Sequence, residues 1–301
     1  VMTKEILFDR ELLRQNCVRI QQGFVQHNFL HHEVANRIAE NVEFLNRDFD
    51  SVLEIGAKDD YLLSLIQNKT YHKENVMLSS ACPEPVEGSK HDSSHCPESC
   101  FDPSTGSGQA ELSMTSQMNS AKIPSYISHK DSEILSIKPN SFDLILSNLN
   151  LHFINEIPQF LLQIKQALKP DGIFIASFFG EENLRELAHV LHQSEIEIYG
   201  GISPRMPPTI DVKTAAALLQ KAGFADPISE FAKIEVNYSD PMNLLKDLKF
   251  MGQGNILTKR SRRFFTKKFL AKILENYRKL YGTADNAVSA TFEIITVTGW
   301  K

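Results

Sequence analysis

Along this chain, short apolar runs that end near glycine alternate with stretches whose apolar residues recur every three or four positions. Ser51-Val52-Leu53-Glu54-Ile55-Gly56 is a run of the first kind, and Tyr61-Leu62-Leu63-Ser64-Leu65-Ile66 follows it as a helix start. Strands are predicted at Asn75–Leu78, Ser125–Ser128 and Ser141–Ser147, the last (SFDLILS) apolar on both faces like a fully buried strand. Pro158–Leu168 has helical apolar spacing, Lys169-Pro170-Asp171-Gly172 breaks it, and Gly172–Phe179 (GIFIASFF) resumes as strand. Helices follow at Asn183–Glu195 and Val212–Ala222, then a strand near Ala232–Val236. Helical segments at Met242–Phe250 and Thr266–Tyr281 and a closing strand at Thr291–Thr298 complete the chain. Repeating βα units predict an α/β fold: a doubly wound, Rossmann-like sheet of about seven strands, the last antiparallel, with added helices. An N-terminal helical segment, 1–50, precedes the sheet domain, 51–301.

The pattern fails between Ser79 and Ala121. That stretch holds 18 Ser, Pro or Gly among 43 residues and no apolar periodicity, so it buries too little to order itself. A structureless loop of that length inside a compact domain is improbable, and 79–121 is read as a disordered insertion. Its PEPVEGS and DPSTGSGQAE strings resemble translated palindromic elements found within genes of some obligate intracellular bacteria. Cys82, His91, His95, Cys96 and Cys100 bring thiols and imidazoles together there, yet no CxxC pair exists and the spacing matches no common zinc ribbon. No metal is expected.

The insertion also carries the charge. The chain has 32 Lys+Arg and 37 Asp+Glu, a net charge of −5, and without residues 79–121 the two signs balance at 31 each. Such a balance argues against nucleic-acid binding driven by global positive charge. No stretch of 18 or so apolar residues is present to span a membrane.

The loop after the first strand carries the first chemistry. A late, antiparallel-capable strand pair closing a parallel sheet resembles the methyltransferases that use S-adenosylmethionine, whose loop reads acidic-x-Gly-x-Gly-x-Gly. Here it reads Glu54-Ile55-Gly56-Ala57-Lys58-Asp59-Asp60, so Glu54 and Gly56 match while Lys58 and Asp60 replace the later glycines. The acidic Asp59-Asp60 pair is expected to repel the cofactor's carboxylate. Ser79 stands where the ribose-binding acid belongs. The resemblance implies cofactor contacts at Asp131, on the adenine amino group, and at Asn148, Leu149 and His152, beside the methyl donor. His129-Lys130-Asp131 also has the His-x-acid spacing of a non-haem iron site, but Asp131 is accounted for by adenine.

The second half is more specific. Leu7-Phe8-Asp9-Arg10, Glu33–Glu40, Gly200-Gly201-Ile202-Ser203-Pro204-Arg205-Met206-Pro207-Pro208, Val236-Asn237-Tyr238, Leu244–Asn255 and Gly299-Trp300-Lys301 resemble the complex I assembly factor 5 family over nearly the whole chain outside the insertion. Arg205 replaces the family's usual His. The resemblance implies S-adenosyl-L-methionine as cofactor, a complex I subunit as protein partner, and modification of an arginine in it. It also implies substrate or partner contacts at Gly200, Gly201, Ser203, Pro204, Asn237, Tyr238 and Asp247. A carboxylate would hold the substrate guanidinium, and Asp247, Glu181 and Glu182 are candidates. No residue is assigned the chemical step.

Two alternatives stand beside this one: a degenerate scaffold that keeps the fold without the cofactor, and an acyl-carrier-protein or small-molecule methyltransferase. Residues 258–281 hold nine Lys or Arg against Glu275 alone, with apolar residues at helical spacing. That face suits an acidic partner or an anionic membrane surface. With no Arg-rich transit segment before Phe8, a bacterial cytoplasmic location, peripheral to the inner membrane, is the expectation.

Overall fold

The computed structural model describes residues 6–20, 23–67, 133–135, 137–263 and 265–301. The expected strands at 75–78 and 125–128, the insertion 79–121 with its Cys and His residues, and His129 and Asp131 lie outside them.

Five strands form one sheet: β1 (Val52–Glu54), β2 (Phe142–Asn148), β3 (Leu168–Phe179), β4 (Ala225–Tyr238) and β5 (Val288–Trp300), in the order β1-β2-β3-β5-β4. The first three run parallel, and β5 lies antiparallel between β3 and β4. About seven strands were expected; the described residues hold five, with the closing strand antiparallel as expected.

Side chains alternate across each strand, so a parallel strand feeds two cores at once. Leu144 and Leu146 of β2 point to one core and Ile145 between them to the other. Helices α2 (Phe29–Phe44), α4 (Arg185–Tyr199) and α7 (Lys267–Tyr281) cover the first face. The second is covered by α3 (Ile157–Ala167) and α5 (Val212–Lys221). This is the doubly wound arrangement. The N-terminal segment contributes α1 (Arg10–Ile20) and α2, and the second belongs to the main core through Leu30, Val34 and Ile38.

Strand β4 runs well beyond the predicted Ala232–Val236 because its antiparallel ladder with β5 extends from Ala225 to Tyr238. As an edge strand it leaves one face in water, and its exposed Asp, Glu and Lys residues hide it from an apolar-run reading. Helix α6 (Pro241–Phe250) starts where the Asp240 carboxylate accepts from the Met242 amide, with Pro241 at the first helical position; Thr266 caps α7 through the Phe269 amide.

Candidate functional site

In open α/β sheets, ligands bind beyond the carboxyl ends of the parallel strands, where the backbone turns away and leaves a crevice. Here those ends are Glu54 on β1 and Asn148 on β2. Gly56 follows with φ +77°, and a Cβ there would stand 2.3 Å from the Asn150 side chain. Only glycine fits both the left-handed backbone and the close approach. Asn148 donates from Nδ2 to the His31 carbonyl at 2.9 Å, tying β2 to α2. Leu149 takes a left-handed φ of +48° and buries its side chain, and the turn Leu151–Phe153 then presents His152.

Among the described residues, four groups at this edge are buried with polar atoms that have no partner: Glu54 through Oε2, Asn148 through Oδ1, His152 through Nδ1 and His31 through both ring nitrogens. The Nε2 atom of Gln253, after α6, is a fifth, while its Oε1 shares a 3.0 Å hydrogen bond with His152 Nε2. Burial pushes Glu54 up to about 8, assisted by Asp59 and Asp60, so its carboxyl is protonated at neutral pH. Burial likewise pushes His31 down to about 3 and His152 down to about 4, with the Lys58 ammonium adding to both shifts. The two imidazoles are neutral.

The acidic pair on the loop acts on Glu54 through its charge while its own contacts lie elsewhere. Asp59 Oδ2 lies 2.8 Å from His32 Nε2, Oδ1 accepts from the Tyr61 amide at 3.2 Å, and Asp60 is exposed where the helix at 61–67 begins. Lys58 does turn inward, donating to Cys17 Sγ of α1 at 3.3 Å.

A cavity of about 430 Å³ opens beside Gln253, walled by Phe153, Phe179, Leu187 and Met206 and bearing Arg19, Arg205 and Lys249. Among the described residues no carboxylate lines it. The expected guanidinium-binding acids are engaged or outside it: Asp247 Oδ1 lies 2.5 Å from His27 Nδ1, Glu182 pairs with Arg185, and Glu181 is exposed.

The expected partner residues divide. Gly200 ends α4 in a left-handed cap with φ +70°, and Gly200 and Gly201 are exposed with open space above them. Ser203 bonds to Glu195, and the Pro204 carbonyl accepts from Asn255 Nδ2 at 3.0 Å. Arg205 reaches the cavity while its guanidinium pairs with Glu195 at 2.7 Å and lies over the Phe269 ring. Asn237 is exposed at the end of β4. Tyr238 is buried, and burial with the nearby Asp247 carboxylate pushes its hydroxyl up.

Sequence reasoning missed His31, Gln253, Glu195 and His27. His31 had a signal: it interrupts the apolar face that Leu30, Val34 and Ile38 share on α2.

A methyltransferase-domain family description matches residues 30–226. The mouse protein named arginine-hydroxylase NDUFAF5, mitochondrial, is 32% identical over 98% of this chain and 77% of its own length. This chain belongs to that family. Family membership accords with the motifs at both ends of the chain, since the alignment spans nearly all of it. A malonyl-acyl-carrier-protein O-methyltransferase of Gallionella capsiferriformans is 25% identical over 99% of this chain and 92% of its own. A solved S-adenosylmethionine-dependent methyltransferase from Archaeoglobus fulgidus is 13% identical, with a TM-score of 0.41 over 92% of this chain and 96% of that one.

S-adenosyl-L-methionine is the cofactor that a methyltransferase domain of this kind implies, and the residues present fit it. Among the described residues, β1, β2, α2 and Gln253 each contribute buried donors or acceptors without a partner, and unsatisfied buried groups of this number call for a polar occupant. No helix among the described residues is long and apolar enough to cross a membrane.

Proposed function

We propose that the chain is an S-adenosyl-L-methionine-dependent protein of the complex I assembly factor type that modifies an arginine of a complex I subunit. The carrying observation is the set of buried polar atoms on Glu54, Asn148, His31 and His152 that have no partner among the described residues, in a chain of which 98% aligns with a protein named arginine-hydroxylase. Bound there, the cofactor supplies an activated methyl group on a sulfonium sulfur. Glu54, Asn148 and His152 hold it, Gly56 lets the backbone approach, and Leu149 positions the turn between them. As a neutral imidazole beside Phe153 and Phe179, His152 offers Nδ1 to a polar partner while its other nitrogen is fixed by Gln253. Asp131 serves the adenine in this reading.

The protein partner meets the loop Gly200–Pro204 and the corner formed by Asn237, Tyr238 and Asp247. Residues 258–281 give a further contact with an acidic partner or the inner-membrane surface from the cytoplasmic side. Several of their charges are already spent within the fold: Lys272 on Glu197 and Glu275, Arg278 on Asp240 and Arg260 on Asp9. The remaining Lys259, Arg262, Arg263, Lys267, Lys268 and Lys279 are exposed.

The cationic lining of the large cavity favours a second reading, a scaffold that grips its partner without modifying it. Titration calorimetry with S-adenosyl-L-methionine, followed by mass spectrometry of complex I subunits from cells with and without the gene, separates the two. Cofactor binding together with a gene-dependent added oxygen or methylene on one arginine supports the enzyme. Assembly defects without any arginine change, and no cofactor binding, support the scaffold.

A further inference from the structure

Position 58 is where the family loop carries glycine, and the lysine there is not simply turned out to solvent. Its half-buried side chain runs inward until the ammonium meets Cys17 Sγ at 3.3 Å and comes within 4.0 Å of where a Cβ on Gly252 would stand. A thiol is a weak acceptor, so this contact leaves most of the ammonium's hydrogen-bonding capacity unused. Among the described residues it has no carboxylate partner.

The acids nearest in sequence do not neutralise it. Asp59 is committed to His32 and the Tyr61 amide, Asp60 faces water, and buried Glu54 carries its proton at neutral pH. On the other side stand the two neutral imidazoles, His31 and His152, and the free Nε2 of Gln253, next in the chain to Gly252. A cation drawn out of water without a counter-charge is costly, and the cost is relieved when an anion occupies the space it points into. Among the described residues the surrounding groups include several donors and no ionised acid directed at that space, which is an environment built for a carboxylate.

We propose that Lys58 is the counter-ion of the S-adenosyl-L-methionine carboxylate, replacing by a side-chain charge what a glycine at this position leaves to backbone amides. The inference rests on the cofactor reading above and makes position 58 a binding residue rather than an obstruction. It also places Cys17 of α1 as the acceptor that parks the ammonium when the carboxylate is away.

The test compares two ligands in titration calorimetry, S-adenosyl-L-methionine and its decarboxylated analogue, which keeps the adenosyl group, the sulfonium and the amine. The full chain is used with Lys58→Met, which keeps the length without the charge, and Lys58→Gly, which restores the family residue; thermal melts confirm that each variant folds. The expected result is a loss on the order of tenfold to a hundredfold in affinity for S-adenosyl-L-methionine in Lys58→Met, with little change for the decarboxylated ligand. Tighter binding of S-adenosyl-L-methionine by Lys58→Gly than by the natural chain overturns the proposal, because the lysine would then be an obstruction. Equal losses on both ligands overturn it too, reducing Lys58 to a residue that shapes the loop. Binding of neither ligand by any of the three proteins overturns the cofactor reading itself, and the proposal with it.

Discussion

His152 and Gln253 stand 101 residues apart in sequence and share a 3.0 Å hydrogen bond that joins the turn after β2 to the segment after α6. His152 is buried and Gln253 half-buried, and each keeps another nitrogen, itself buried, without a partner among the described residues. The bond therefore connects the carboxyl edge of the parallel strands to the wall of the cavity of about 430 Å³, so the two regions are not independent.

Replacing Gln253 by Leu removes the only partner of His152 Nε2 among the described residues and leaves a buried imidazole with neither nitrogen satisfied. A loss of about 1–3 kcal/mol is expected in urea denaturation. Adding His152→Phe removes the stranded imidazole, so the double variant should lose less than the sum of the singles. Additive losses would show that the pair is not coupled.

The pH dependence has two opposite limbs. His31 and His152 titrate near 3 and 4 in the folded chain against a usual 6.5, so below pH 6.5 the unfolded chain binds more protons and stability falls as pH falls. Glu54 is the reverse case: folded it keeps its proton to about 8, unfolded it releases it near 4.5, so its contribution weakens as pH rises through that window. Glu54→Gln has no proton to lose. Its stability relative to the natural chain should improve between pH 4.5 and 8, by at most about 1.4 kcal/mol per pH unit, and level off above. Denaturation midpoints across pH 5 to pH 9, read on both proteins, check the sign; a flat difference would mean Glu54 titrates normally.

Much of this was legible because burial leaves a periodic trace. The parallel strands β2 and β3 are apolar on both faces, and the helices keep their three- and four-residue spacing, so their places and the α/β class follow from the sequence. Strand β4 was half hidden, since an edge strand needs apolar residues on one face only and Ala225–Glu230 offers few. Glu54 with Gly56, and Asn148 with His152, each fall within one short stretch at the end of a strand, so a local motif was enough to name them. Gln253, His31 and Glu195 were not legible, because what gives them their place is a contact across 101, 117 or 10 residues that no local pattern encodes. The partner of Asp59, His32, lies 27 residues away on α2 and was not legible for the same reason.

Gly56→Ala tests the loop directly. The residue has φ +77°, which costs an L-residue about 1–2 kcal/mol, and its new Cβ would overlap the Asn150 amide at 2.3 Å. Stability should fall by about 2 kcal/mol or more, and cofactor affinity with it, since Asn150 must move from beside the turn that carries His152. The companion Gly56→Ala, Asn150→Gly variant relieves the overlap but not the backbone strain. It should recover part of the loss in a thermal melt, whereas full recovery would mean that the left-handed backbone imposes no penalty.

Arg205 supplies the last case, where the chain departs from its family. Its guanidinium pairs with the buried Glu195 through Nε at 2.8 Å and Nη2 at 2.7 Å, while Ser203 donates to the same carboxylate from its amide at 2.8 Å and its hydroxyl at 2.5 Å. Burial alone would raise the Glu195 carboxyl; the Ser203 and Arg205 contacts outweigh it and hold it below its usual range. Removing one member strands the other in a nearly dry place, so Arg205→Met should cost about 3 kcal/mol, and Arg205→Lys should restore little because a lysine cannot fork two donors onto one carboxylate. Arg205→His, the family residue, should fall between the two at neutral pH and recover stability as the medium is acidified and the imidazole gains its charge. A denaturation series at pH 5.5 and pH 8 on the three variants reads this out, and an equal cost for Met, Lys and His would mean that Glu195 is held by Ser203 alone.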